Sequence, residues 1–223
     1  MARVFIDHAV KTFGSVKAVD DVSLEIGSFL EPVSVAIHAI DIAGIRPGST
    51  VAISGAGPIG LLCLQVALRA GAARVMVSEP VPGKREVAKK LGADVVVDPL
   101  KEDLLAAGKK LTEGRGFDTV IEASGNLGAA KQAISLADNG GTIVWAAVYP
   151  KDSEIAVPPF LMYAKELTIR CVWISPYSFP RALNLLSKLE LKPLITDIVP
   201  LKDIKKAFEL HKTGKSIKIL VQP

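Results

Sequence analysis

Rings, thiols and imidazoles are all scarce in this sequence. Aromatic residues make up 5% of the 223 positions, leaving few flat side chains to stack on bases. The charge balance is mild, 27 basic against 23 acidic residues for a net +4, so nucleic acid is not the expected partner. The lysines between Lys202 and Lys218 alternate with Asp203 and Glu209 and read as a solvated helix face. Two cysteines, Cys63 and Cys171, exclude a disulfide scaffold and fit a reducing cytoplasm. They also exclude a four-cysteine zinc site, and the 3 histidines, His8, His38 and His211, have no ligand spacing. The opening MARVFIDHAVKTF carries Arg3, Asp7 and Lys11, which rules out a signal-peptide core there. The uncharged run Pro47–Leu68 is long enough on paper to cross a bilayer, but Gly48, Gly55, Gly57, Pro58 and Gly60 divide it into two short elements. No membrane association is expected, and the chain reads as a soluble cytoplasmic protein.

With hydrophobic residues at 49% and charged residues at 22%, the chain has material for a sizeable core. From residue 50 onward, short apolar runs alternate with helical patterns. Strands are expected at Thr50–Ser54, Arg74–Ser78, Asp94–Val97, Phe117–Ile121, Gly141–Val148 and Glu166–Trp173. The intervening helices are Pro58–Ala70, Pro82–Leu91 (stopped by Gly92), Glu102–Leu111 and Leu127–Ala137. Helices around Phe179–Lys188 and Leu201–His211 and a strand Ser216–Val221 close the chain. Continuously apolar strands joined by helices imply a parallel sheet covered on both faces, a doubly wound α/β fold of six strands in the order 3-2-1-4-5-6.

The chemistry is concentrated in Gly55-Ala56-Gly57-Pro58-Ile59-Gly60, a G-x-G-x-x-G directly after a strand and at the start of a helix. Gly55 permits the tight turn, Gly57 lets the backbone approach a pyrophosphate, and Gly60 lets helix and strand pack closely. The helix start then offers amides and the positive dipole end to phosphates. About twenty residues further on, Glu79 ends the second strand, where an acid accepts hydrogen bonds from a ribose. A carboxylate there favours a free 2′-hydroxyl, so NAD(H) is expected ahead of NADP(H), a preference that nearby Lys84 and Arg85 soften. A nucleoside-triphosphate site is excluded, because no G-x-x-x-x-G-K-[ST] occurs anywhere, although Val10–Ile26 looks like the opening strands of ABC-type ATPases.

From about Asp21 onward the sequence resembles the C-terminal part of medium-chain zinc-dependent dehydrogenases of the sorbitol, threonine and polyol branch. The residues that carry the resemblance are FLEPVSVAIHA (Phe29–Ala39), GAGPIGLL (Gly55–Leu62), KREVAKKLGADVVVDP (Lys84–Pro99), FDTVIEASGN (Phe117–Asn126), NGGTIVW (Asn139–Trp145), KELTIR (Lys165–Arg170) and TGKSIKILV (Thr213–Val221). The resemblance implies a dinucleotide-binding domain at 31–175, and a 176–223 segment that packs in the family on a separate catalytic domain. Residues 1–30 are left as an N-terminal segment of unassigned origin. By resemblance, Ala123, Ser124 and Gly125 line the adenosine side, while Ala146, Ala147 and Val148 with Cys171–Trp173 border the nicotinamide. Lys218 matches a basic residue that reaches the pyrophosphate. Ala147 and Cys171 stand where the family often has glycine, which implies a tighter nicotinamide pocket. Glu31 matches a position at the catalytic zinc of the polyol branch. The family's Cys ligand, its Gly-His-Glu segment and its four-cysteine lobe do not occur in this sequence, so Glu31 is an orphan and no zinc site is expected.

Three readings stay open from the sequence: an NAD-dependent alcohol or polyol dehydrogenase, a dinucleotide-binding module working with a separate catalytic chain, and a dimerising scaffold. In the family, sixth strands pair across a two-fold axis, so a homodimer through Leu167–Ile174 is expected. Without a complete substrate pocket in the sequence, no substrate is assigned.

Overall fold

The computed structural model describes residues 9–13, 16–22 and 27–222, with side chains described from 27 to 222. Strands β1 (Ala9–Phe13) and β2 (Val16–Val22) pair antiparallel at the start. The helix α1 (Leu30–Ala43) follows and ends at Gly44 in the left-handed conformation, φ +67°. His8 lies outside the described residues.

The centre is a parallel sheet. Its strands are β3 (Thr50–Ser54), β4 (Arg74–Ser78), β5 (Val95–Val97), β6 (Phe117–Glu122), β7 (Ala137–Trp145) and β8 (Thr168–Cys171). Their order across the sheet is β5-β4-β3-β6-β7-β8, the doubly wound arrangement expected from the alternation. The connecting helices are α2 (Pro58–Arg69), α3 (Pro82–Lys90), α4 (Leu104–Leu111), α5 (Leu127–Leu136) and α6 (Pro159–Ala164).

Both faces of the central strands β3, β4 and β6 are buried, and the strand period of two sorts the side chains between them. Val51, Ile53, Val75, Val77, Ile121 and Val144 join one core with α1 and α2, in which Phe29, Ile37, Leu61 and Leu64 are almost wholly buried. Ala52, Met76, Val97, Val120 and Ile143 join a second core with Leu104, Phe117, Ile134 and Leu136. At the bottom of the sheet, Asp118 accepts hydrogen bonds from the Thr50 amide (2.7 Å) and hydroxyl (2.8 Å), locking β3 to β6 at the register Val51↔Thr119.

After β8 come α7 (Phe179–Leu186), β9 (Ile195–Pro200), α8 (Ile204–Lys212) and β10 (Lys218–Gln222), with β9 and β10 paired in parallel as a separate two-stranded sheet. This segment shares the first core through Ala182, Leu186, Leu189, Leu191, Leu194 and Ile217. Gln65 of α2 fastens it further, donating to the Glu190 carbonyl (3.1 Å) and accepting from the Glu190 amide (2.8 Å).

Several boundaries differ from the sequence expectation. β7 starts at Ala137 rather than Gly141 because Ala137 pairs with Phe117 across a register shift. β8 is confined to Thr168–Cys171, and α8 starts after a 3-10 turn at Leu201–Asp203. β9 and the helix α1 have no counterpart in the sequence reading.

Candidate functional site

β3 runs into Gly55 at φ +97°, a backbone conformation strained for any L side chain. A Cβ on Gly55 would stand 3.0 Å from the backbone and Cβ of Ser124, and one on Gly60 would stand 2.0 Å from the Gly55 carbonyl oxygen. Gly57 is different, with nothing within 4 Å of where its Cβ would be. Protein therefore fills the space beside Gly55 and Gly60, whereas the space in front of Gly57 is open to a ligand.

The helix behind this turn begins in the same spirit. α2 starts from Gly57 with Pro58 and Ile59 in its first turn and has no side-chain cap. In contrast, Asp103 caps α4 and Asn126 caps α5 with their side chains. An uncapped helix start facing open space leaves its donors and its positive dipole end for an anion.

Glu79 follows β4 and is 6% exposed. One carboxylate oxygen accepts from the Ala56 amide at 2.8 Å, and the other accepts from the Val81 amide at 2.9 Å. The acid thus braces the glycine turn against the turn that leads into α3. Lys84 is half-buried on α3. Arg85 donates to the Glu79 carbonyl at 2.6 Å and pairs with the buried Asp98 at 3.2 Å. Neither Asp98 nor this pairing of Arg85 was singled out from the sequence.

The loops after β6 and β7 complete the rim. Ala123, Ser124 and Gly125 turn away from the sheet, with Gly125 at φ +73° and close to the Val148 carbonyl, where a Cβ would stand 3.1 Å from the oxygen. Ala146 and Ala147 are half-buried and Val148 is exposed. Beneath them lies Glu122, fully buried at the end of β6 and absent from the sequence-based site. Its carboxylate accepts from the Ser124 amide (2.8 Å), the Ser124 hydroxyl, the Gly125 amide (3.2 Å) and the Tyr149 hydroxyl. Tyr149 sits edge-on to Trp145, with ring centroids 6.3 Å apart. Burial, then the hydrogen bond and charge of Glu122, hold the Tyr149 phenol well above its ordinary pKa, so it stays protonated and donates. The Trp145 indole N–H is buried without an acceptor among the described residues.

Beyond β8 the chain is held to α1 by serines. The Ser34 hydroxyl donates to that of Ser175 (2.7 Å), and the Ser178 hydroxyl donates to the Ser34 carbonyl (3.0 Å). Between Cys171, which is exposed, and Ser175 lies Ile174 at φ +57°, an unusual conformation for a β-branched residue. Lys218 opens β10 and stands 5.3 Å from the centre of the Phe29 ring. Burial lowers its pKa, opposed by the nearby charge of Glu31. The structure therefore puts Lys218 at the start of α1, beside the orphan acid.

Zinc, which the resemblance implies for the family, needs three or four converging N, O or S donors. Among the described residues no three His, Cys, Asp or Glu side chains are grouped to hold a metal ion. Glu31 is exposed and its charged neighbour is a lysine, a donor set that does not fit zinc. No described helix is long and apolar enough to cross a membrane.

Comparison with known proteins agrees with this architecture. The zinc-binding dehydrogenase family model matches residues 58–188. D-xylulose reductase A of Aspergillus niger is 35% identical over 212 residues, covering 92% of this chain and 59% of the reductase. L-threonine 3-dehydrogenase of Pyrococcus abyssi is 35% identical over 224 residues, covering 97% of this chain and 64% of that enzyme. Among solved structures, 2R,3R-butanediol dehydrogenase of Bacillus subtilis superposes with a TM-score of 0.83 at 32% identity, over 93% of this chain and 60% of that one. A zinc-binding dehydrogenase homologue of Sinorhizobium meliloti, solved with NADP, gives a TM-score of 0.84 at 32% identity, over 93% of this chain and 62% of its own. The chain thus spans less than two thirds of the length of these relatives. Its matched stretch, its sheet order and its glycine turn lead to one conclusion: the chain belongs to the medium-chain, zinc-binding dehydrogenase family.

Proposed function

We propose that this chain is the dinucleotide-holding part of an alcohol or polyol dehydrogenase and takes NAD(H) in preference to NADP(H). The observation that carries this reading is the contrast within the glycine turn: Gly55 and Gly60 are closed in by protein, and Gly57 faces open space at an uncapped helix start. In this reading the pyrophosphate lies on Gly57, Pro58, Ile59 and Gly60, with Lys218 as a neighbouring cation. The adenosine ribose meets Glu79, Ala123–Gly125 line the adenosine side, and Ala146–Val148 border the nicotinamide. The cofactor preference is supported by the Glu79 carboxylate, which repels a 2′-phosphate, and by Arg85, which Asp98 already holds. Lys84 is left as the cation that softens that preference.

Hydride transfer to or from an alcohol also requires a group that moves the hydroxyl proton and steadies the alkoxide. Among the described residues no three His, Cys, Asp or Glu side chains are grouped to hold a metal ion, and the donor set at Glu31 does not suit zinc. We therefore assign this chain cofactor binding, with the alcohol chemistry supplied from outside the residues described. A second reading, a module that pairs with a separate catalytic chain or with its own copy, is favoured by apolar surface. Ile198, Leu201, Ile204 and Phe208 are bare in the C-terminal β9–α8 segment, and Trp173 and Ile174 are bare beside the edge strand β8. Pairing of two copies through Leu167–Ile174 would cover that edge. The free thiols of Cys63 and Cys171 accord with a reducing cytoplasm.

The test is a fluorescence titration with NADH and NADPH. Saturable NADH binding, weaker NADPH binding and loss of both in Gly57→Asp at an unchanged melting temperature are expected. Failure of the wild-type chain to bind either nucleotide would overturn the reading.

A further inference from the structure

Glu122 is the most heavily bonded side chain at the rim of the sheet, and the reading above gives it no task. Its donors come from two separate loops, Ser124 and Gly125 after β6 and Tyr149 after β7. Elsewhere Gly125 approaches the Val148 carbonyl and the Ala147 methyl group, and the Ala146 amide donates to the Glu122 carbonyl at 2.8 Å. Among the described residues, the Tyr149–Glu122 hydrogen bond is the one side-chain hydrogen bond between them. Glu122 stands opposite Trp145 in the sheet register, and the Tyr149 ring rests edge-on against Trp145. The phenol is thus fixed at both ends, by its hydroxyl on a buried acid and by its ring on an indole.

Resting on the dinucleotide reading, we propose that Tyr149 is a positioning residue for the nicotinamide half of the site: by donating to Glu122 it holds Ala146–Val148 at a set distance from Ser124–Gly125. The alternative of a proton-transferring tyrosine is disfavoured by the geometry. Its hydroxyl is directed at a buried carboxylate, and the raised pKa makes it a persistent donor and a poor base at neutral pH. The same carboxylate holds Ser124 close to Gly55, where a Cβ would stand 3.0 Å from it. The phosphate side of the rim therefore has a brace independent of Tyr149, and the nicotinamide side depends on the phenol.

That asymmetry gives the test. NADH and ADP-ribose share every group except the nicotinamide, so calorimetric titration of both into wild type and Tyr149→Phe separates the two halves. The loss of one hydrogen bond to a charged group is expected to weaken NADH about tenfold, with ADP-ribose affinity changed less than about twofold. The emission shift of bound NADH should shrink in parallel. Glu122→Gln, which takes an acceptor from Ser124 and Gly125 as well as from Tyr149, should weaken ADP-ribose together with NADH. In Tyr149→Phe, equal weakening of both ligands, or no weakening of NADH, overturns the proposal and leaves the cofactor reading standing. Absence of any binding by the wild-type chain removes both. Loss of cooperative unfolding in both variants would make the pair a folding determinant and overturn the positioning role.

Discussion

In β3 every residue is buried, and α2 beside it buries its chain from Gly60 through Ala67. In the β9–β10 unit, β9 buries only Val199 and α8 only Ala207. Both regions draw on the same core, yet one is covered on two sides by its own chain and the other on one. The sheet centre meets its helices on alternate residues, so Val51 and Ala52 are buried in opposite directions. The β9–β10 unit turns Leu194, Val199 and Ile217 inward and leaves Ile198, Leu201, Ile204 and Phe208 to solvent. The difference separates what this fold needs for its own stability from what it offers to another surface.

Two phenylalanines make the comparison quantitative. Phe117 is fully buried and Phe208 is 62% exposed. Phe117→Ala should cost about 3–5 kcal/mol in urea unfolding, whereas Phe208→Ala should stay within about 0.5 kcal/mol. Equal costs would mean that the C-terminal unit is as deeply structural as the sheet. The glycine turn gives a second pair. Gly60→Ala pushes a methyl group into the Gly55 carbonyl and should lose about 1–3 kcal/mol, while Gly57→Ala meets open space and should unfold like the wild type.

The cysteines extend the contrast to chemistry. Burial pushes the Cys63 thiol up to about 12, against its ordinary 9.0. The folded state therefore keeps a proton that the unfolded chain releases. The resulting stability is fully present below about pH 9 and is lost as pH rises towards about 12. Cys63→Ala should flatten that alkaline decline in chemical denaturation. A thiol reagent should label exposed Cys171 in the native protein and Cys63 only on unfolding. A small effect is also expected at the junction of the two regions, where Arg181 of α7 pairs with Asp41 of α1. Both partners are exposed, so Arg181→Ala should change stability by less than about 1 kcal/mol by thermal unfolding. A larger loss would show that charge, rather than the leucines of the core, holds the C-terminal segment in place.

The central sheet was legible because strands buried on both faces are continuously apolar and bounded by helix signals. The glycine turn was legible because its three positions carry different backbone demands in a fixed frame. Glu79 could be found at its usual distance from that turn. Glu122 could not, because an acid ending the run FDTVIE looks the same whether water or Tyr149 meets it, and Tyr149 is remote in sequence. β9 escaped notice because ITDIVP follows Pro193, ends on Pro200 and becomes a strand only by pairing with distant β10. Arg85 read as a free cation because its partner Asp98 lies across a strand and a helix of intervening chain.

The contact between Gly55 and Ser124 has a consequence for how such a chain can change over generations. A Cβ at position 55 would stand 3.0 Å from Ser124, on a backbone at φ +97° that no change at Ser124 relieves, and Ser124 is held there by the buried acid Glu122 that ends β6. Position 55 therefore stays glycine whatever side chain stands at 124. In a library randomised at 55 and 57, surviving clones should keep glycine at 55, while position 57, where a Cβ would meet open space, should vary freely under selection for folding and become restricted only under selection for nucleotide binding.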